Sequence, residues 1–359
     1  MDEKIDIVAL LREHPEKARF PGALLTRKGP KDYVGSVLVM SAMLYFKNAH
    51  TPQVREAICE CFEEYEAIAK NHLTWLWREE PPEGPAKQQY SKAKSMREMI
   101  VRMNENDAVS FGYISGENPE DAGDWQFEVQ GIRGWQAQMG TWGLCSLQFS
   151  LPMLHAHDAP LVMPSLFVSF ARRLRAVHGY AGPALNLSLV RSEENEPFEA
   201  YMSDQVKGLD VGHELWTNRK VTTGIKTVSW LTAINYEMVE KIGGLSAIRS
   251  ELPADWFALY DYGSGLVIQA GPKANPALVK IDPMPAIYVL PNMLLKDVRA
   301  PDIGSLHNGS IDGEPRIVGW AAKQWLNRFD IEDDELMAYK AKLFNEPKLT
   351  NETTLLDRL

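Results

Sequence analysis

Short connections between successive strand patterns restrict the fold of this chain more than any other feature. The stretches AVSFGYISG (108–116) and DWQFEVQGIR (124–133) flank an acidic loop, and WFALYDY and GLVIQAG flank the turn pair Gly263-Ser264. Strands joined by such short turns pair antiparallel. A doubly wound parallel sheet would need a regular alternation of strands and helices, which is absent. The sequence therefore predicts an α+β fold, with mostly antiparallel sheets and amphipathic helices packed on one face.

A strand followed by an amphipathic helix occurs twice. Val34–Phe46 is apolar throughout and predicts a buried strand, after which Thr51 can cap a helix that begins at Pro52. The unit returns as the strand and loop LCSLQFSLPMLHAHDAP (144–160) and the helix LVMPSLFVSFARRLRAVHG, which we expect to end at Gly179. Apolar positions of the two helices coincide when their prolines are aligned. This pattern predicts two similar strand–helix halves.

Turn-rich stretches divide the chain into three predicted segments. Residues 1–106 form an N-terminal strand–helix part with a linker helix, 107–300 an α+β core, and 301–359 C-terminal helices and a tail. Pro315 and Asp330 predict the starts of the two last helices. In the core, Gly243-Gly244 follow an apolar helical pattern. They predict a helix end, because a phosphate-binding loop would place its glycines before a helix.

The charge balance argues against a nucleic-acid ligand. The 359 residues include 38 Lys and Arg against 48 Asp and Glu, a net charge of −10. Nucleic-acid-binding proteins show a basic surface, whereas an acidic chain suits a basic protein partner. We assign six acidic residues as candidate partner-binding residues: Glu193, Glu194 and Glu196 of the stretch SEENE, together with Asp204, Glu117 and Asp121.

The sequence predicts a cytoplasmic protein with no membrane partner. Cys59, Cys61 and Cys145 are too few for a disulfide framework, and the first two diverge on a helical pattern. The longest apolar stretch, Val34–Phe46, is shorter than a bilayer span, and the first residues lack the apolar core of a secretion signal. The sequence leaves open whether the chain forms a homo-oligomer.

The stretch HAHD (155–158) is the strongest candidate for chemistry. On a strand, an HxH pair directs both imidazoles to one side, where His155 and His157 could share a metal with Asp158. GHELW (212–216) lacks the second histidine of a zinc-binding helix, and Walker A, GxGxxG and GxSxG motifs do not occur. We therefore expect no catalytic residues and no cofactor, and favour a binding function.

Residues 224–271 resemble the C-terminal half of the type VI secretion immunity-protein family. The matching motifs are Gly224-Ile225-Lys226, Ser229-Trp230-Leu231, Ile242-Gly243-Gly244 and Gly265-Leu266-Val267-Ile268-Gln269-Ala270-Gly271. The resemblance extends over about residues 30–300. Two features depart from it: Lys273-Ala274-Asn275-Pro276 replaces the turn of many members, and the last 60 residues match no family feature.

The resemblance implies an antitoxin that binds and neutralises a cognate effector delivered by a type VI secretion system. The effector, expected from a neighbouring gene, could be a restriction-endonuclease-like nuclease whose active site the antitoxin occludes or distorts. An acidic protein can steer onto a site that is built for a polyanion. A metal-dependent hydrolase centred on His155, His157 and Asp158 is the alternative, and an adaptor of the secretion machinery is a third interpretation.

Overall fold

The fold is built around one large antiparallel sheet. The computed structural model describes residues 7–79, 85–212, 219–308 and 313–359. The described strands are β1 (Arg19–Gly22), β2 (Lys31–Phe46), β3 (Trp75–Arg78), β4 (Lys87–Gln89), β5 (Ser110–Ile114), β6 (Gln126–Gln130), β7 (Cys145–Pro152), β8 (His178–Leu187), β9 (Leu231–Asn235), β10 (Phe257–Asp261) and β11 (Gly265–Ala270). The described α-helices are α1 (Ile7–Glu13), α2 (Pro52–Ala69), α3 (Met96–Ile100), α4 (Gly134–Met139), α5 (Met153–Asp158), α6 (Val162–Leu174), α7 (Ser192–Gln205), α8 (Tyr236–Lys241), α9 (Gly244–Glu251), α10 (Ala286–Leu294), α11 (Trp320–Leu326) and α12 (Leu336–Lys342).

The strand order is β10-β11-β9-β8-β2-β7-β6-β5-β3-β4, and β1 pairs with the first part of β2. Every pairing between these described strands is antiparallel. The predicted α+β class is therefore confirmed, as are the hairpins β5–β6 and β10–β11. The sheet takes strands from both sides of the predicted boundary at 106/107. Whether the three predicted segments fold separately stays a prediction.

Helices α2 and α6 pack beside each other on one face of the sheet, as their apolar periodicity predicts. Phe62 of α2 stacks on Tyr113 with ring centroids 4.1 Å apart, and Phe170 of α6 meets Phe149 edge-to-face at 5.0 Å. All four side chains are buried. Alternate residues of β2 and β8 point to the other face, where Tyr45 lies against His178. No described helix is long and apolar enough to cross a membrane.

Two predicted helix boundaries are wrong. Helix α6 ends at Leu174, where Arg175 turns left-handed at φ 50°, and Gly179 instead lies in β8. A Cβ on Gly179 would lie 2.5 Å from the Met43 carbonyl oxygen, so this glycine permits close pairing with β2. Helix α11 begins after Gly319 and not at Pro315; Arg316 and Ile317 instead bond to Glu196 and His307, as described below.

The glycine pair ends a helix, as predicted. Helix α8 stops at Lys241, and Gly243 and Gly244 have φ values of 94° and 78°. Glycine adopts this left-handed conformation without the strain that a Cβ brings. Helix α9 then starts in a new direction at Gly244.

Candidate partner-binding surface

Arg191 joins two of the predicted acidic stretches. Its guanidinium lies 3.3 Å from Glu120 and 3.6 Å from Glu194 in the first turn of α7. Lys31, at the start of β2, also pairs with Glu194, at 2.6 Å. Asp204 lies at the other end of α7. Of the predicted residues, Glu117, Asp121 and Glu194 lie near the start of β2, whereas Glu193 and Glu196 contact Asn308.

Two of the six predicted residues are buried and hold the fold together. Asp121 is 4% exposed and accepts hydrogen bonds from the Val34 and Asn118 N–H groups at 2.9 and 2.7 Å. Glu196 is 3% exposed, pairs with Arg316, and accepts the Asn308 N–H at 3.1 Å. The stretch SEENE begins helix α7, so it is not a free loop, and residues 195–200 of this helix are all buried. Neither carboxylate is free to meet a partner.

The other carboxylates lie at the surface. None of the described residues forms an ion pair with Glu117 or Glu193, although the Asn308 amide donates to Glu193. The side chain of Asp204 is 78% exposed, 4.0 Å from Lys207. Whether these residues bind a partner stays a prediction, but their position permits it.

Helix α7 gathers an acidic and aromatic surface. At 100° per residue, the side chains of Glu193, Glu194, Tyr201 and Asp204 fall within an arc of about 100° around the helix. The first and the last of them are about 16 Å apart along the helix axis. Tyr201 is half exposed, and its ring stacks on Phe198, which in turn packs on Phe20 of β1 at 4.5 Å. We call this surface the α7 face; its residues are Glu193, Glu194, Tyr201 and Asp204.

Buried ionic groups hold the inner side of α7. His307 lies 2.7 Å from Glu199 through Nε2, and its Nδ1 accepts the Ile317 N–H at 3.0 Å. The imidazole proton is therefore on Nε2 and is donated to the carboxylate. Both side chains are almost fully buried. With the Glu196–Arg316 pair, this contact fixes α7 against His307 and Arg316.

An asparagine fixes the start of α7 to β1 and β2. Asn195 accepts the Ala23 N–H at 3.0 Å and donates to the Arg191 carbonyl at 2.8 Å. A Cβ on Gly35 would lie 2.1 Å from the Asn195 side-chain oxygen, so this approach requires glycine. Helix α7 is thus held on both sides by buried contacts.

Sequence reasoning missed these supporting residues because each partner is far away along the chain. His307 and Glu199 are 108 positions apart, and Arg316 and Glu196 are 120 positions apart. No local motif signals such a pair. Lys226, within the motif Gly224-Ile225-Lys226, belongs to the same buried region: its ammonium donates to Asp210 at 2.9 Å and to the Val211 carbonyl at 2.6 Å.

The HAHD stretch does not form the expected pair of ligands. Residues 153–158 are helix α5, where side chains two positions apart point about 200° apart and cannot share a metal as on a strand. His155 packs edge-to-face on Trp125, at 4.9 Å, and Asp158 pairs with Arg12. Within the described ranges, no group of three or more His, Cys, Asp or Glu side chains could hold a metal. The alternative metal-dependent hydrolase site therefore lacks the ligand geometry that a bound metal would require.

The remaining chemical candidates are buried or lie outside the described residues. All three cysteines are buried, and burial raises the pKa of the Cys59 thiol to about 11, which disfavours the nucleophilic thiolate. Of the stretch GHELW, residues 213–216 lie outside the described residues.

Two comparisons with known proteins relate this chain to type VI secretion. A family model named TsiV and described as type VI immunity for VRR-NUC matches residues 57–329. Among solved structures, the chain is similar to the Pseudomonas aeruginosa T6SS protein PA0821, with 48% identity, a TM-score of 0.92 and full coverage of both chains. A comparison with curated proteins found no match.

Proposed function

Because this chain belongs to the TsiV family of type VI immunity proteins, we propose that it is a non-enzymatic inhibitor that binds and neutralises a cognate VRR-NUC effector. The observation that carries the proposal is the family match over residues 57–329. The matched range includes all of α7 and the residues that anchor it, Glu199, His307 and Arg316.

The α7 face is the surface that we assign to the effector. A nuclease that acts on DNA must present cationic groups to the phosphate backbone. The carboxylates of Glu193 and Asp204 offer complementary charge along about 16 Å of helix, and Tyr201 supplies an aromatic anchor of the type that dominates interface energetics. Glu194 lies between them but is already paired with Lys31. Glu117 adds a further exposed carboxylate near the start of β2.

The rigidity of this face supports occlusion of the active site as the mode of inhibition. Helix α7 is held by buried contacts at Asn195, Glu196 and Glu199, so it can enter a cationic groove with little ordering cost. Distortion of the effector is the other route to the same inhibition. In either case the inhibitor acts on a partner encoded by a neighbouring gene, in the cytoplasm of the producing cell.

Reversal of the exposed charges tests this assignment. The variant Glu117→Lys/Glu193→Lys/Asp204→Lys spares the buried Asp121 and Glu196, so it retains the fold. We expect its association with the purified effector to be at least tenfold slower than that of the unchanged chain at low salt, and to depend less on salt. Protection of cells that express the effector should weaken in parallel.

A matched control changes the net charge by the same amount elsewhere. Glu240, Asp334 and Glu352 are exposed, and none of them has an ion pair among the described residues. The variant Glu240→Lys/Asp334→Lys/Glu352→Lys should slow association only slightly, through the overall charge. Equal slowing by both variants would refute the α7 face as the contact surface. Failure of the unchanged chain to bind the effector would refute the proposed function itself.

A further inference from the structure

Residues 353–359 cover the outer edge of β10. This strand ends the sheet and pairs with β11 on one side only. On its other side, Tyr260 forms an antiparallel bridge with Arg358, and the Leu359 N–H donates to the Leu259 carbonyl at 2.9 Å. We call residues 353–359 the edge strap.

Each β10 carbonyl that points away from β11 accepts a hydrogen bond. The Trp256 carbonyl and the Tyr262 N–H bond toward β11, so residues 257, 259 and 261 turn their backbone groups outward. Their carbonyls accept hydrogen bonds from Arg249 at 3.0 Å, from the strap at 2.9 Å and from Arg172 at 3.1 Å. An end strand with free backbone groups would be a template for another strand.

The strap is held by polar contacts and by Leu355, which packs against the core. Gln269 donates to the Thr353 carbonyl at 2.8 Å, the Leu355 N–H donates to the Tyr260 hydroxyl at 3.2 Å, and Arg249 donates to the Leu359 carbonyl. Leu356 is 99% exposed and contributes no burial. The strap lies outside residues 57–329, the part that the family model matches.

We propose that the edge strap keeps the chain from pairing with a second copy of itself through β10. The strap shows that this edge accepts an antiparallel strand, because Arg358 bridges Tyr260 in that direction. Two β10 strands related by a twofold axis also run antiparallel, so one copy offers the other the same hydrogen bonds. The stretch WFALYDY is rich in aromatic residues and carries a single charge, which favours such pairing.

Removal of residues 353–359 tests the proposal by size-exclusion chromatography with light scattering. We expect the full chain to have the mass of one copy and the shortened chain to have twice that mass at micromolar concentration. A peptide of residues 353–359, added in excess, should return the shortened chain to one copy, whereas a scrambled peptide should not.

A folded, shortened chain that keeps the mass of one copy would overturn the proposal, and so would a full chain that already dimerises through β10. If the shortened chain does not fold, Arg249→Met provides the second test. This variant removes the donor to the Phe257 carbonyl and one contact of the strap, and we expect a dimer fraction that rises with concentration. A mass equal to that of the unchanged chain at all concentrations would refute the role proposed for the edge strap.

Discussion

Replacement of Lys226 by methionine should destabilise the fold strongly. The ammonium is fully buried and donates to Asp210 at 2.9 Å, to the Val211 carbonyl at 2.6 Å and to the Tyr180 hydroxyl at 3.1 Å. Methionine retains the length of the aliphatic stem, so the loss is electrostatic and leaves no large cavity. Removal of one partner of a buried ion pair costs about 3–5 kcal/mol, because the other charge stays uncompensated.

A second substitution separates this cause from simple loss of packing. Asp210→Asn in the Lys226→Met background removes the uncompensated carboxylate, so the double variant should recover at least about 1 kcal/mol of the loss. Urea denaturation followed by circular dichroism gives the free energy of unfolding for the four chains of the cycle. A loss below about 1 kcal/mol for Lys226→Met, or a double variant that is less stable than Lys226→Met alone, would refute the reasoning.

Three further predictions concern single sites. His178 is buried, and desolvation lowers its pKa from 6.5 to about 4. Because the unfolded chain binds this proton at a higher pH than the folded chain, the free energy of unfolding should fall by up to about 3 kcal/mol as the pH drops from about 6.5 to 4. His178→Gln should flatten this part of the pH profile in urea titrations. Glu196→Lys should lower the melting temperature by several degrees because it faces the buried Arg316, whereas Glu193→Lys should leave it nearly unchanged in differential scanning calorimetry. Gly244→Ala should lower the free energy of unfolding by about 1 kcal/mol, because alanine disfavours the left-handed φ at this position. Gly243→Ala should lower it further, because the new Cβ would also lie 2.9 Å from the Ala247 Cβ. Chemical denaturation of both variants measures the difference.

Local patterns were sufficient where structure depends on neighbouring residues. The β5–β6 and β10–β11 hairpins, strand β2 and the helix end at Gly243 follow from turn chemistry and from apolar periodicity within a few residues. The central position of β2 between β7 and β8 does not follow from local patterns, because its partners lie about 100 positions away or more. The end of α6 was mispredicted for the same reason: pairing with β2 draws Gly179 into a strand.

Which residues of a predicted acidic cluster are exposed likewise depends on contacts that a sequence does not reveal. Glu193 and Glu196 are three positions apart and equally acidic, yet one is exposed and the other pairs with Arg316 in the interior. Asp121 is buried, and its carboxylate accepts the N–H groups of Val34 in strand β2 and of Asn118 in its own loop. Helical periodicity indicates that some residues of such a cluster must turn inward, but the partner that compensates a buried charge decides which ones.

Titration of the effector's nuclease activity with this protein tests the central claim most directly. The VRR-NUC effector that we expect from a neighbouring gene would be purified, and cleavage of double-stranded DNA would be followed while the protein is added in increasing amounts. We expect cleavage to fall in proportion to the added protein and to stop near one copy per effector, with the Glu117→Lys/Glu193→Lys/Asp204→Lys variant requiring a large excess. Undiminished cleavage in the presence of excess protein would contradict the account.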